Sequence, residues 1–371
     1  MHNEVSIAAP AQVANMFGFF DCAGFLCKAP PRTEESRTGG VGDIITVEIV
    51  PGQSDILTIE YLLRRFDNDA YWKGVEKFSD LAEDIKRHPD RDIIKTVLNA
   101  TLLKIAELRP DLEASTKLPI KVTVTKCLPA GKVGIGLGSS ASSTAIALAI
   151  DKLFGDPLRN LEEDEAKRTG TDPLTRLRLM ALGEQLVSGS QFFDNVAPLL
   201  SGGFVFVSNY EDSLTIEPLN WPRHLHVVTI TPDLSLETRR MREIVRGASA
   251  SLFENAAETR RRLEVMIGLF TKDSERITRF ANGSAIESVR WPLVAGSDVL
   301  IKHINERRHQ GFPVSIGISG SGPTIYCLAD SESLAHQTGE ELHYLWKVQG
   351  IRSWWIVQQY NPQGFDPFHV K

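Results

Sequence analysis

A chain of 371 residues, 42% hydrophobic and 24% charged, has the composition of a globular protein and the length for two ordinary domains with cores of their own. Its formal net charge of −6 gives no basic field for nucleic acid or anionic lipid, and no apolar run reaches the length of a membrane span, so neither is an expected partner. Four scattered cysteines without a CxxC pair, and a start (MHNEVSIAAP) without the basic and apolar regions of a signal peptide, lead to a cytoplasmic expectation.

In chain order, residues 5–9 read as a short strand. The next stretch, PAQVANMFGFFDCAGF, is apolar but punctuated by Asn15, Gly18 and Asp21. Polar groups set among Phe17, Phe19 and Phe20 need partners if buried, although plain turn capping would also explain them. Residues 30–43 are rich in Pro, Gly and charge and read as an exposed loop or hairpin, while 44–50 and 56–59 alternate as strands. From 69 to 108 the pattern is helical, with Ile93, Ile94, Val97, Leu98, Leu102 and Ile105 on one face and a break at His88-Pro89. Residues 118–127 alternate as a strand.

That strand runs straight into LPAGKVGIGLGSSASSTAIALAI, residues 128–150. Glycines at 131, 134, 136 and 138 let the backbone bend closely around a ligand. A helix starting at Ser139-Ser140 points its free N–H groups and positive dipole end back into the loop. Strand, Gly-rich loop and helix start together form an anion site suited to phosphate; the bland alternative is a turn with two capping serines. The spelling is neither the P-loop, which needs Gly-Lys-Ser/Thr, nor the dinucleotide fingerprint.

Residues 155–173 are polar and read as an exposed connection. A helix follows over 174–187 with Glu184 near its end, then QFFDNVAPLLSGGFVFVSN with a strand over 204–208. Turn residues between 211 and 222 mark the expected boundary between domains 1–212 and 213–371. Beyond it come a strand at 225–231, helices at about 238–247, 251–270, 273–283 and 292–309, and a strand at 314–318 leading into SGSGPT. A strand at 325–328, a helix at 331–347 and a strand at 353–358 complete an α+β second half.

The motifs PAQVANMFGFFDCAGF, LPAGKVGIGLGSSAS and ISGSGPTIYCL, joined by FFDNVAPLLSGG, resemble the GHMP small-molecule kinases, and among them the homoserine kinases. The resemblance implies a two-domain α+β fold, with an N-terminal ribosomal-S5-like nucleotide domain and a C-terminal ferredoxin-like domain. It implies that ATP phosphates are wrapped by Gly131, Gly134, Gly136, Leu137, Gly138, Ser139, Ser140 and Ala141, with Ser319, Gly320, Ser321 and Gly322 as a second Gly-rich turn in support. Mg²⁺ would be held by Ser140 and by Glu184, which stands eight residues before Phe192, the position of a family histidine. An amino-acid acceptor would be held by Asn15, Asp21 and Asn195, with Asp194 a candidate for orientation or base work. Arg240 and Arg290 match the family's arginines for the α-carboxylate, a group that suits arginine's planar fork. The implied reaction is ATP-dependent phosphorylation of the side-chain hydroxyl of L-homoserine in threonine biosynthesis. Homodimers are common in this family, so a second copy of the chain joins the small-molecule substrate as an expected partner.

Three departures from the family pattern stand out. Pro129 lies three residues farther upstream than usual, which puts an insertion around residues 132–134. Phe17-Gly18-Phe19 replaces Gly-Pro-Gly, and Phe192-Phe193 replaces His-Pro. These aromatic gains raise the alternative of a GHMP kinase with a more apolar acceptor pocket. A non-catalytic nucleotide-binding relative is a second alternative, against which Glu184 and Ser139-Ser140 argue.

Overall fold

A computed structural model describes residues 2–19, 21–30, 40–66, 72–129, 133–137, 139–169, 174–210, 213–236, 238–248, 252–358, 360 and 362. The first half holds strands β1 (Glu4–Pro10), β2 (Gln12–Ala14), β3 (Ala23–Leu26), β4 (Gly42–Ile49), β5 (Leu57–Phe66) and β6 (Trp72–Lys77). Helices α1 (Ser79–Arg87) and α2 (Ile93–Leu108) lead to β7 (Ile120–Leu128). Then come α3 (Ser139–Leu153), α4 (Pro157–Thr169), α5 (Thr175–Ser188), α6 (Phe193–Ser201), β8 (Phe204–Tyr210) and β9 (Ser213–Leu219).

These strands make two sheets, β1-β4-β7-β5-β6 and β2-β3-β8-β9. In the first, β5 and β7 are parallel, so the chain between them must cross over, and α1 and α2 make that crossing. Alternation on β7 buries Ile120, Val122 and Val124 toward α3, whose Ala145, Ile146, Ala149 and Ile150 pack into the same core. α5 lies against α3, and α6 covers the second sheet.

The second half contains β10 (His226–Pro232), α7 (Thr238–Gly247), α8 (Leu252–Thr271), α9 (Ser274–Phe280), α10 (Ala285–Ser288) and α11 (Ser297–His309). It ends with β11 (Val314–Ile318), β12 (Ile325–Ala329), α12 (Glu332–Val348) and β13 (Ser353–Gln358). Its sheet, β11-β12-β10-β13, is antiparallel throughout. Residues alternate between its faces: Val228, Ile230, Ile316 and Cys327 bury under the helices, while Val227, Tyr326 and Leu328 face the first half. There they meet Phe17, Phe25, Phe204 and Trp221 in a core shared by the two halves.

Three details differ from the sequence reading. Residues 72–77 are strand β6, not the start of a helix, because they pair with β5; tertiary pairing overrides a weak local pattern. The polar stretch read as a connection at 155–173 contains the full helix α4, largely solvated on its outer face. The turn-like segment after 212 is edge strand β9, paired with β8, and an edge position tolerates its Pro218. The second sheet of the first half therefore ends with β9 at Leu219.

Candidate active site

Gly183 is where the site begins. A Cβ added there would stand 2.5 Å from Ser143 Cβ, so only glycine lets α5 approach α3 this closely. The next residue, Glu184, is thereby pressed against the head of α3. Its Oε1 accepts a 2.5 Å hydrogen bond from Ser140 Oγ, and its Oε2 accepts one of 3.0 Å from Asn195 Nδ2. Glu184 is only 2% exposed yet lines a cleft of about 530 Å³. Asn195 reaches it because Gly24 on β3 lets α6 sit close: a Cβ at Gly24 would meet the Asp194 carbonyl oxygen at 2.2 Å.

Val133 to Leu137, between β7 and α3, also line the cleft, with Gly134 (φ 74°) and Gly136 (φ 77°) in the left-handed region. Gly136 is tightly enclosed, its absent Cβ standing 2.6 Å from the Ser319 carbonyl oxygen. Ser319 Oγ donates to Gly136 O at 3.0 Å, and Thr324 N donates to Ile135 O at 3.1 Å. The second Gly-rich turn thus braces the first. The inserted segment is anchored too, since Gly134 O accepts from Leu236 N at 3.1 Å. Gly131, Gly138 and the Ser139 side chain lie outside the described residues, as does Phe20. Leu137, Ser140 and Ala141 are buried at the loop's end and the helix start.

Gly320 joins the remaining walls. Its N–H donates to Ala14 O at 3.0 Å, and its carbonyl accepts from Arg290 Nη1 at 2.8 Å. Asn15, Arg290, Gly320 and Ser321 all line the cleft. Asn15 Oδ1 accepts the Asp21 N–H at 2.7 Å, a bond that folds the loop so that both residues share one turn. A carbonyl oxygen has a second lone pair, so Asn15 keeps acceptor capacity for a ligand.

Three expected residues stand elsewhere. Asp21 is half-buried beside the cleft rather than among the described residues lining it. Asp194 is fully buried in the first turn of α6, where with Asp21 it pushes the Cys22 thiol up after the larger effect of burial. Arg240 is exposed at the start of α7 and is not a described lining residue. The aromatic departures also point away. Phe17, Phe19, Phe192 and Phe193 are buried, and none of the four is a described lining residue of the cleft.

One cluster was not singled out from the sequence. Lys126 Nζ donates at 2.7 Å to both Asp43 Oδ2 and Ser142 Oγ, and Ser142 Oγ also bonds Asp43. Burial pushes the Asp43 carboxyl up, and the Lys126 ammonium and Ser142 hydroxyl oppose that rise. Lys126 and Ser142 line the cleft, so the triad fixes the first turn of α3 to the sheet beside the site. The available signal was register: Lys126 continues the inward series Ile120, Val122, Val124 and faces Asp43 across the ladder.

Among the described residues no three His, Cys, Asp or Glu side chains gather as a metal site. A divalent cation here would take few protein ligands, which suits Mg²⁺ bound largely through substrate phosphates and one carboxylate. No helix among the described residues is long and apolar enough to cross a membrane.

No family model matches the chain. It is 25% identical over 353 residues to the homoserine kinase of Chloroherpeton thalassium, covering 94% of this chain and 95% of that one. Its structure resembles that of homoserine kinase from Cytophaga hutchinsonii with a TM-score of 0.71 and 26% identity, covering 98% and 97% of the two chains. Mevalonate kinase from L. major shares the fold at a TM-score of 0.61 and 13% identity, covering 97% of this chain and 98% of that one. Read with the braced glycine loop and the Ser140–Glu184–Asn195 cluster, these likenesses make the chain similar along its length to homoserine kinases, with a fold it shares with mevalonate kinase.

Proposed function

We propose that the protein transfers the γ-phosphoryl group of ATP to the side-chain hydroxyl of L-homoserine, giving O-phospho-L-homoserine. The observation that carries this reading is the Glu184 carboxylate, which lines the cleft with Asn195 and accepts hydrogen bonds from Ser140 at the head of α3 and from Asn195 on α6. The hydroxyl oxygen attacks phosphorus in line as the bond to the β-phosphate oxygen breaks, and the hydroxyl proton is released.

The chain's contribution is positioning and charge. The N–H groups at the start of α3 and the loop around Gly136 would cradle the phosphates. Glu184 and Ser140 offer oxygen ligands to Mg²⁺, which when bound neutralises phosphate charge. Asn195, fixed by Glu184, would orient the reacting hydroxyl. Asn15 and Asp21 would receive the α-ammonium, and Arg290, aimed into the cleft, the α-carboxylate. Asp194, buried in the first turn of α6 and not among the described residues lining the cleft, is assigned a structural role rather than proton abstraction. Arg240 would need to move to reach the acceptor. A homodimer remains the proposed assembly on family grounds, and cytoplasm the proposed location.

The alternative of an apolar acceptor gains nothing, because the four phenylalanines that suggested it face the core. The test is ADP release from Mg-ATP with L-homoserine, other hydroxy-amino acids, mevalonate and sugars as acceptors. Homoserine should give the highest kcat/KM. Turnover only with another acceptor would overturn the substrate assignment, and ATP binding without turnover would favour a non-catalytic relative.

A further inference from the structure

The turn that carries Asn15 and Asp21 has an unusual backbone. Asn15 (φ 60°), Phe17 (φ 59°) and Asp21 (φ 56°) all lie in the left-handed region. Asparagine and aspartate enter it readily because their short polar side chains bond locally, as Asn15 does to the Asp21 N–H. Phenylalanine has no such compensation, so its surroundings must impose the shape.

The groups that hold its backbone come from the second half of the molecule. The Phe17 N–H donates to Tyr326 Oη at 2.8 Å, across 309 positions of sequence. The Phe17 carbonyl accepts from Arg261 Nη2. Arg261 is itself fixed, giving Nη1 to Phe280 O at 2.9 Å and Nε to Glu258 Oε2 at 3.0 Å. The Phe17 ring packs edge-on against Phe204 at 5.6 Å and stacks on Trp221. Tyr326 stands on β12 two residues beyond Thr324, whose N–H holds the phosphate loop at Ile135. One segment therefore grips both the acceptor turn and the nucleotide loop.

We propose that Tyr326 and Arg261 are positioning residues for the acceptor: by holding the two peptide groups of Phe17 they fix Asn15 and Asp21 for the α-ammonium without touching it. The inference rests on the reading of Asn15 and Asp21 as acceptor ligands. Where the family pattern has glycine, this chain has a phenylalanine whose backbone shape is imposed from the other half. Acceptor affinity thereby depends on contact between the halves.

The experiment is initial-rate kinetics of Tyr326→Phe with homoserine and ATP varied separately, alongside Phe17→Gly and the double variant. Tyr326→Phe should raise the KM for homoserine about tenfold, the cost of one lost buried hydrogen bond, and leave that for ATP within about twofold. Glycine adopts the left-handed turn unaided, so in the Phe17→Gly background the same change should shift the homoserine KM by less than about twofold. If Tyr326→Phe does not fold, Arg261→Lys, which lacks the fork that spans Glu258 and Phe17, should show the same split between the two KM values. A parallel rise in both, no change in either, or an equal effect in both backgrounds overturns the inference alone. No turnover of homoserine by the unsubstituted protein overturns the functional reading and the inference with it.

Discussion

Ser140 and Glu184 stand 44 positions apart in the chain and meet through a hydrogen bond between two buried side chains. Gly183 permits the contact, since a Cβ there would stand 2.5 Å from Ser143 Cβ and hold α5 off α3. Around it, the glycine loop, the second Gly-rich turn and Asn195 converge on one cleft. Each element has a consequence that substitution exposes.

Glu184→Ala removes the carboxylate proposed for Mg²⁺ and frees Ser140 and Asn195. Its kcat should fall by about 100-fold or more, the scale seen when a transition-state charge contact is removed. The apparent Mg²⁺ requirement should shift to higher concentration, read by titrating the cation at fixed ATP. An unchanged rate and cation dependence would overturn the assignment.

Gly136→Ala meets both a left-handed φ and the Ser319 carbonyl oxygen. It should lose about 1–3 kcal/mol of stability and bind ATP more weakly. Gly155→Ala is the control: its φ is 86°, but a Cβ there meets nothing within 4 Å. It should lose about 1 kcal/mol, the backbone term alone, and keep its ATP KM. Denaturant unfolding and ATP titration measure both.

Asp194→Asn separates a structural role from a base. Loss of a general base costs about 10²–10⁴-fold. With Asp194 buried in the first turn of α6 and not among the described residues lining the cleft, the expected loss is less than about tenfold, with the pH dependence of kcat the same as in the parent. A fall of 10³-fold in a folded variant would restore the base assignment.

Glu287 gives a pH signature. It is buried, with Oε1 accepting the Ile318 N–H at 2.8 Å. Burial raises its carboxyl from 4.5 to about 7, against the opposing Ile318 bond and the charges of Arg261 and Arg290, with Glu258 adding to the rise. The folded state therefore holds the proton more tightly than the unfolded chain. The stability this contributes is full below pH 4.5 and is lost as pH rises toward 7, by about 1.4 kcal/mol per unit at the steepest. Glu287→Gln should flatten that decline in unfolding free energy between pH 5 and 7, and an unchanged slope would contradict the shift.

Much of the site could be read from the sequence because it rests on local spelling. Gly136 and Ser140 belong to one contiguous motif, Glu184 stands eight residues before another, and a strand feeding a glycine loop and helix is a short-range pattern. What escaped was long-range. Lys126 and Asp43 are 83 positions apart and bond only because β4 and β7 pair in that register. The aromatic substitutions at Phe17 and Phe192 suggested an altered pocket, since composition cannot tell which way a ring points. Strand β6 escaped for the same kind of reason: WKGVEK has little strand character apart from its pairing with β5.

Identifying the product distinguishes phosphoryl transfer to homoserine from nucleotide binding alone. Purified protein with Mg-ATP and L-homoserine should yield one new phosphomonoester signal in ³¹P NMR, on the side-chain oxygen, in step with ADP formation. ATP binding with no phosphorylated homoserine, or phosphate appearing only as free inorganic phosphate, would contradict the account.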